Sequence, residues 1–203
     1  MGIQRIKFFM VLITLFSGLA NAQENNWQNS LALEASGKYM QAALSMESIL
    51  RESPNNELAL MRHGWLNYLQ GLHNDSLRDY NKVLTINPKS LEARLGLTLP
   101  LIAQQRWRET AMVASNVLLI SPWDYTAHIR LMLCEEAEQK WEVLAKHASE
   151  FSARFPSDAA ALVYLAHAEA WQGHVNKAKA AYSQVLERTP SHLEATAYLK
   201  NNH

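Results

Sequence analysis

The chain has 203 residues, 19 basic side chains against 19 acidic ones, and a single cysteine. A balance this even excludes the basic footprint of a nucleic-acid or polyanion binder. One cysteine excludes an internal disulfide, so packing alone holds the fold.

Residues 1–22 read as a secretory signal peptide. Arg5 and Lys7 make a basic start and Phe8 to Leu19 is an apolar run. Ala20-Asn21-Ala22 supplies the small-x-small pattern, with cleavage expected between Ala22 and Gln23. The run is shorter than the ~20 residues a spanning helix needs, which weighs against an uncleaved anchor. No cysteine lies near the cleavage point to suggest a lipoprotein, and Ile6 stands where myristoylation wants Ser or Thr. The expectation is an exported chain, periplasmic in a bacterium, meeting the membrane only in transit. Secretion, or anchoring by an uncleaved leader, are the alternatives.

From Gln23 onward a fixed interval dominates. Pro54, Pro88, Pro122, Pro156 and Pro190 follow one another every 34 residues. Two places beyond each lie Asn56, Ser90, Asp124, Asp158 and His192. The first four have side chains of the N-cap type. Alanines keep the same register at Ala59, Ala93, Ala127, Ala161 and Ala195. Such a period marks a helix–turn–helix solenoid.

Five units result. In 23–56, Gly37 and Tyr39 mark the turn and Ile49-Leu50 the end of the second helix. In 57–90 these places hold Gly71 and Val83-Leu84. Unit 91–124 has Trp107 after its turn, Val117-Leu118 at its end and Pro100 inside its first helix. An interior proline removes a hydrogen bond, so Pro100 either bends the inner surface or sits in a tolerated kink. Unit 125–158 has Trp141 after its turn, and 159–192 has Gly173 and Val185-Leu186. Residues 193–203 begin like another first helix, with Leu193, Ala195 and Leu199 apolar, and end in polar residues, as a capping helix must.

These residues resemble the tetratricopeptide repeat (TPR) family over essentially all of 23–203. Its pattern wants small residues at the eighth and twentieth positions, filled here by Ser30, Gly64, Thr98, Met132 and Ala166, and by Ala42, Ser76, Thr110, Leu144 and Ala178. The aromatic twenty-fourth position holds Met46, Tyr80, Ala114, Ala148 and Tyr182. The fourth unit departs most: Met132 and Leu144 are large where small is expected, and Ala148 is small. Volume lost and gained nearby can keep a core full, and this is the expectation there. The resemblance implies an all-α, right-handed α-solenoid of five TPR units with a C-terminal capping helix.

The resemblance also implies that the first helices line a concave groove. The matching positions hold Trp27 and Leu31; Met61, Arg62, Trp65 and Tyr68; Leu95, Leu99 and Ile102; Ile129, Arg130 and Leu133; and Val163, His167 and Trp171. This set is far more apolar than a solvated face, with few charges nearby: Glu34, Arg62, Arg130 and Glu136. Three readings stay open: a trough for a partner's helix or extended peptide, a groove filled from within by a tight superhelix or a terminal helix, or a self-associating module. The family's two-carboxylate clamp is absent, because Trp27, Leu31, Glu92 and Gly96 stand at its positions.

No catalytic or phosphate-binding motif occurs, and the eight histidines form no ligand pattern. His167 and His174 are separated by Gly173, which ends the helix between them, so neither a metal nor another cofactor is expected. Glu135, Glu136 and Glu138 read as a solvated helix edge sooner than as an acid–base pair, and Cys134 as buried and inert sooner than reactive. Asn74-Asp75-Ser76 matches a glycosylation acceptor, a pattern common by chance. The expected function is a non-enzymatic protein–protein interaction scaffold working in envelope assembly, secretion or polysaccharide export.

Overall fold

A computed structural model describes residues 24–202, which are helices and turns with no strand among them. The expected leader at 1–22 lies outside the described residues. No helix of the described residues is long and apolar enough to cross a membrane.

The chain forms two compact units, divided after Gln104. The first holds α1 (24–35), α2 (Tyr39–Glu52), α3 (Glu57–Leu69), α4 (His73–Ile86) and α5 (Leu91–Ala103). Consecutive helices from α2 to α5 pack in antiparallel pairs, and α3 also touches α5. Ala42, Ala43, Met46, Ile49, Ala59 and Leu66 form a core here, with Trp27, Leu33, Leu50, Trp65 and Leu69 packed against it.

The second unit holds α6 (Trp107–Ile120), α7 (Tyr125–Ala137), α8 (Trp141–Arg154), α9 (Ala160–Trp171), α10 (Val175–Arg188) and α11 (Leu193–Asn201). Each packs on the next, and α7 also touches α9. One core gathers Met132, Leu144, Ala148, Phe151, Ala161 and Ala168. A second gathers Leu162, Ala166, Ala181, Tyr182, Val185 and Ala195.

The helix starts follow from their caps. Asn56, Ser90 and Asp124 accept hydrogen bonds from the backbone N–H of Ala59, Ala93 and Ala127 at 3.0, 3.1 and 2.8 Å. Asp158 does the same for Ala161 at 3.0 Å. His192, which lacks a cap-type oxygen, joins them: its Nδ1 accepts from Ala195 N–H at 3.2 Å. Asp124→Ala is expected to cost about 1 kcal/mol in a urea titration, because it orphans a donor at the start of α7. An unchanged midpoint would show that water serves that N–H equally well.

The turns inside the hairpins need a left-handed residue. Gly37, Gly71 and Gly173 supply it, with φ of 72°, 77° and 77°. After α5 and α7, Gln105 and Gln139 take φ of 55° and 56°, so a residue with a side chain does the work glycine does elsewhere. Pro100 is fully buried in the last turn of α5, and the helix runs through it to Ala103. Its ring removes the bond its nitrogen would make to the Gly96 carbonyl.

The fourth repeat compensates as expected. Met132, Leu144 and Ala148 are all fully buried, and so is Phe151, at the register where Val117 and Val185 stand in neighbouring repeats. The aromatic bulk missing at Ala148 is therefore restored one helical turn later. The capping segment differs from expectation at one residue: Ala195 is buried and Tyr198 and Leu199 pack on the core, but Leu193 is 86% exposed. It is the first residue of α11, ahead of the turn that meets the core.

Candidate functional site

In the first unit the candidate residues sit on α1, α3 and α5. Trp27, Met61, Arg62, Trp65, Tyr68, Leu95, Leu99 and Ile102 are half-buried, while Leu31 is 54% exposed. Trp27 and Trp65 lean on the core, so part of the apolar character expected of an open trough is spent on internal packing. The Trp65 and Tyr68 rings lie 5.6 Å apart. A polar strand crosses this face. Arg62 pairs with Glu34 at 2.8 Å and donates from Nε to Ser30 Oγ at 2.9 Å. The Trp65 indole N–H donates to Glu34 Oε1 at 2.8 Å.

In the second unit Ile129, Arg130, Leu133, Val163 and His167 are half-buried on α7 and α9, and Ile129 and Val163 pack on the two cores. Trp171, the last residue of α9, is 71% exposed. It stacks flat on Trp141, with ring centroids 5.2 Å apart and an interplanar angle of 5°. The stack fixes an indole that solvent would otherwise leave free to rotate.

The acidic run does not form a solvated edge. Glu135 is buried and accepts from His147 Nδ1 at 2.9 Å. Glu138 pairs with Lys140 at 2.7 Å, and Glu136 binds His167 Nδ1. Each carboxylate meets a partner from a neighbouring helix or turn, a fact the run of charges alone does not reveal. His147 passes the chain on: its Nε2 faces His128 Nδ1 at 2.8 Å, and His128 Nε2 donates to the Pro122 carbonyl at 3.0 Å. Burial lowers the pKa of His128 against the pull of that carbonyl. In the first unit a comparable buried group joins His63, Asn67 and Asp79, with His63 Nδ1 2.7 Å and Asn67 Nδ2 2.9 Å from the same Asp79 oxygen.

These polar groups satisfy one another. Cys134 is buried, and burial first, then Glu138 and Glu135, push its thiol up to about 11, which leaves it protonated and unreactive. Among the described residues no group of three or more His, Cys, Asp or Glu is placed to hold a metal ion. An open cleft of about 330 Å3 lies at the start of α6, lined by Gln105, Arg106, Trp107, Arg108, Glu109 and Glu138. Its charges are matched within it, Arg106 with Glu109 at 2.7 Å and Arg108 with Glu138 at 3.6 Å.

Sequence reasoning missed Trp141, Tyr182 and Glu194 as neighbours of the candidate residues. One signal was available. Glu34 with Trp65, and Glu136 with His167, share a separation of 31 residues and occupy the same places three repeats apart. Contacts between successive first helices therefore recur at a fixed offset.

No family model matches the chain, and no curated protein matches it. Solved structures do. MamA from Desulfovibrio magneticus RS-1 aligns with a TM-score of 0.76 at 16% identity, covering 85% of this chain and 97% of that one. PilW, described as a widely conserved type IV pilus biogenesis factor, aligns at 0.73 and 18% identity, covering 88% and 86%. YrrB, described as a TPR protein with an unusual peptide-binding site, aligns at 0.71 and 13% identity, covering 86% and 90%. With its paired helices, 34-residue register and buried small positions, the chain has the all-α fold of the tetratricopeptide repeat solenoids.

Proposed function

We propose that the protein is an exported, non-enzymatic protein–protein interaction scaffold. Its apolar first-helix faces receive a partner's amphipathic helix or extended peptide, and its leader directs it to the periplasm for envelope assembly, secretion or polysaccharide export. The observation that carries the reading is Trp171, an indole 71% exposed yet held flat by Trp141. An exposed aromatic already fixed in place loses little freedom on binding, which is the character of an interface anchor. Leu133 adds half-buried apolar area on a first helix of the same unit, and Leu31, Met61, Tyr68 and Leu99 supply it on the first helices of the other unit, each unit taken by itself. An acidic group on the partner would compete with Glu34 for Arg62. The likeness to YrrB and PilW, one described by a peptide site and the other by pilus biogenesis, supports the same reading.

Trp171→Ala is expected to weaken binding to a panel of amphipathic helical peptides by at least about tenfold in fluorescence anisotropy, with helicity unchanged. Unchanged affinity in a folded variant overturns the assignment. The second reading, a self-associating module, draws on the same exposed Leu31 and Trp171. Size-exclusion chromatography over a range of concentrations separates the two. An oligomer that disappears in Trp171→Ala favours self-association, and a monomer at every concentration favours a separate partner.

A further inference from the structure

His167 stands on α9 where three other helices of the unit meet it. Its Nδ1 binds Glu136 of α7, and its Nε2 lies 2.5 Å from Glu194 Oε1 of α11. The same Glu194 oxygen accepts from the Tyr182 hydroxyl of α10 at 2.5 Å. Carboxylates are acceptors, so both ring nitrogens must carry hydrogen, and an imidazole with two N–H groups is a cation. The groups facing the ring are Glu136 from α7, Tyr182 from α10 and Glu194 from α11; His192, the N-cap of α11, acts on Glu194, and Tyr164 lies on the same helix as His167.

α11 is nine residues long, too short to be stable by itself. It covers the last core through Ala195, Tyr198 and Leu199, and its polar tie to the rest of the unit runs through Glu194. We propose that His167 is a latch that holds α11 on the second unit as an imidazolium and releases it as the surroundings turn alkaline. Loss of one proton leaves a ring nitrogen lone pair facing a carboxylate, so one of the two ties becomes repulsive. This stands on the cluster itself, whatever docks on the first-helix faces.

The direction follows from the shifts. The hydrogen bond to Glu136 raises His167 first, burial opposes it, and the charges of Glu194 and Glu136 add to the rise. Stabilisation is complete below the ordinary histidine value of 6.5 and is lost as pH climbs through the raised value. Burial works to raise Glu194, but the Tyr182 hydroxyl and His167 together hold it below the usual 4.5. That contribution is present above 4.5 and is lost in acid as pH falls through the lowered value. The latch is therefore closed in the window between the two ordinary values, 4.5 and 6.5, and opens on the alkaline side as pH climbs through the raised histidine value.

Native-state amide exchange on the whole protein tests this, with protection corrected for intrinsic rates. Between about pH 6 and about pH 9, protection of the α11 amides is expected to fall about tenfold or more, while the α8 core amides change less. In His167→Gln, which cannot carry the charge, α11 protection is expected to be low at both values. Wild-type protection that does not change with pH overturns the latch, as does a His167→Gln variant that keeps the wild-type fall. Should that variant lose its helicity, Glu194→Gln decides: a flattened pH response is expected, and an undiminished fall overturns the proposal.

Discussion

Replacing Phe151 with alanine is expected to cost about 3–5 kcal/mol of stability. The side chain is fully buried, and its ring lies 4.5 Å from Phe155, 4.9 Å from His128 and 5.8 Å from Tyr125. It carries the aromatic bulk of the fourth repeat, where Ala148 is too small to carry it. Met132 and Leu144 are already fully buried in the same core, so neither can fill the hole without vacating its own place. A urea titration at fixed pH checks the figure. A loss below about 1 kcal/mol would mean that the cavity collapses, and the compensation argued for this repeat would fall with it.

The second large effect comes from adding atoms. A Cβ on Gly96 would lie 2.2 Å from Tyr80 Cε1, 2.5 Å from Cζ and 2.8 Å from Cδ1. The ring cannot retreat, because a Cβ at Gly64 would already be 3.2 Å from Tyr80 Cε2, and the residue is 4% exposed. Tyr80 thus sits wedged between bare backbone of α3 and α5. Gly96→Ala is expected to cost about 1–3 kcal/mol, the usual penalty of an overfilled core. A double-mutant cycle with Tyr80→Leu isolates the cause: the smaller side chain should recover much of the loss, giving a coupling between the sites. Additive losses would place the cost of Gly96→Ala elsewhere.

The frame of the molecule was legible because its signals repeat. Prolines, cap residues and alanines each recur at 34, and the caps form where the register puts them. Even the odd fourth repeat was readable, since volume is a property of residue type. The chemistry between helices was not. Glu135, Glu136 and Glu138 look solvated in a linear reading because nothing in the run announces His147, His167 and Lys140. A periodic pattern says which positions touch, while the outcome of a touch depends on the two residues that meet there. The same reason separates Leu193 from Ala195: both are apolar, and only a turn of helix decides which one reaches the core. The candidate faces were found by register as well, but how far their side chains lean inward depends on packing, as Trp27 and Trp65 show.

One rung of the ladder carries a final implication. Where an indole meets Glu34 in the first half of the chain, an imidazole meets Glu136 at the corresponding place in the second. An indole N–H donates at any pH a cell encounters, whereas an imidazole's second donor comes and goes with a proton. At this one rung the ring that meets the carboxylate is therefore indifferent to acidity in one setting and responsive in the other, through the exchange of a single aromatic side chain.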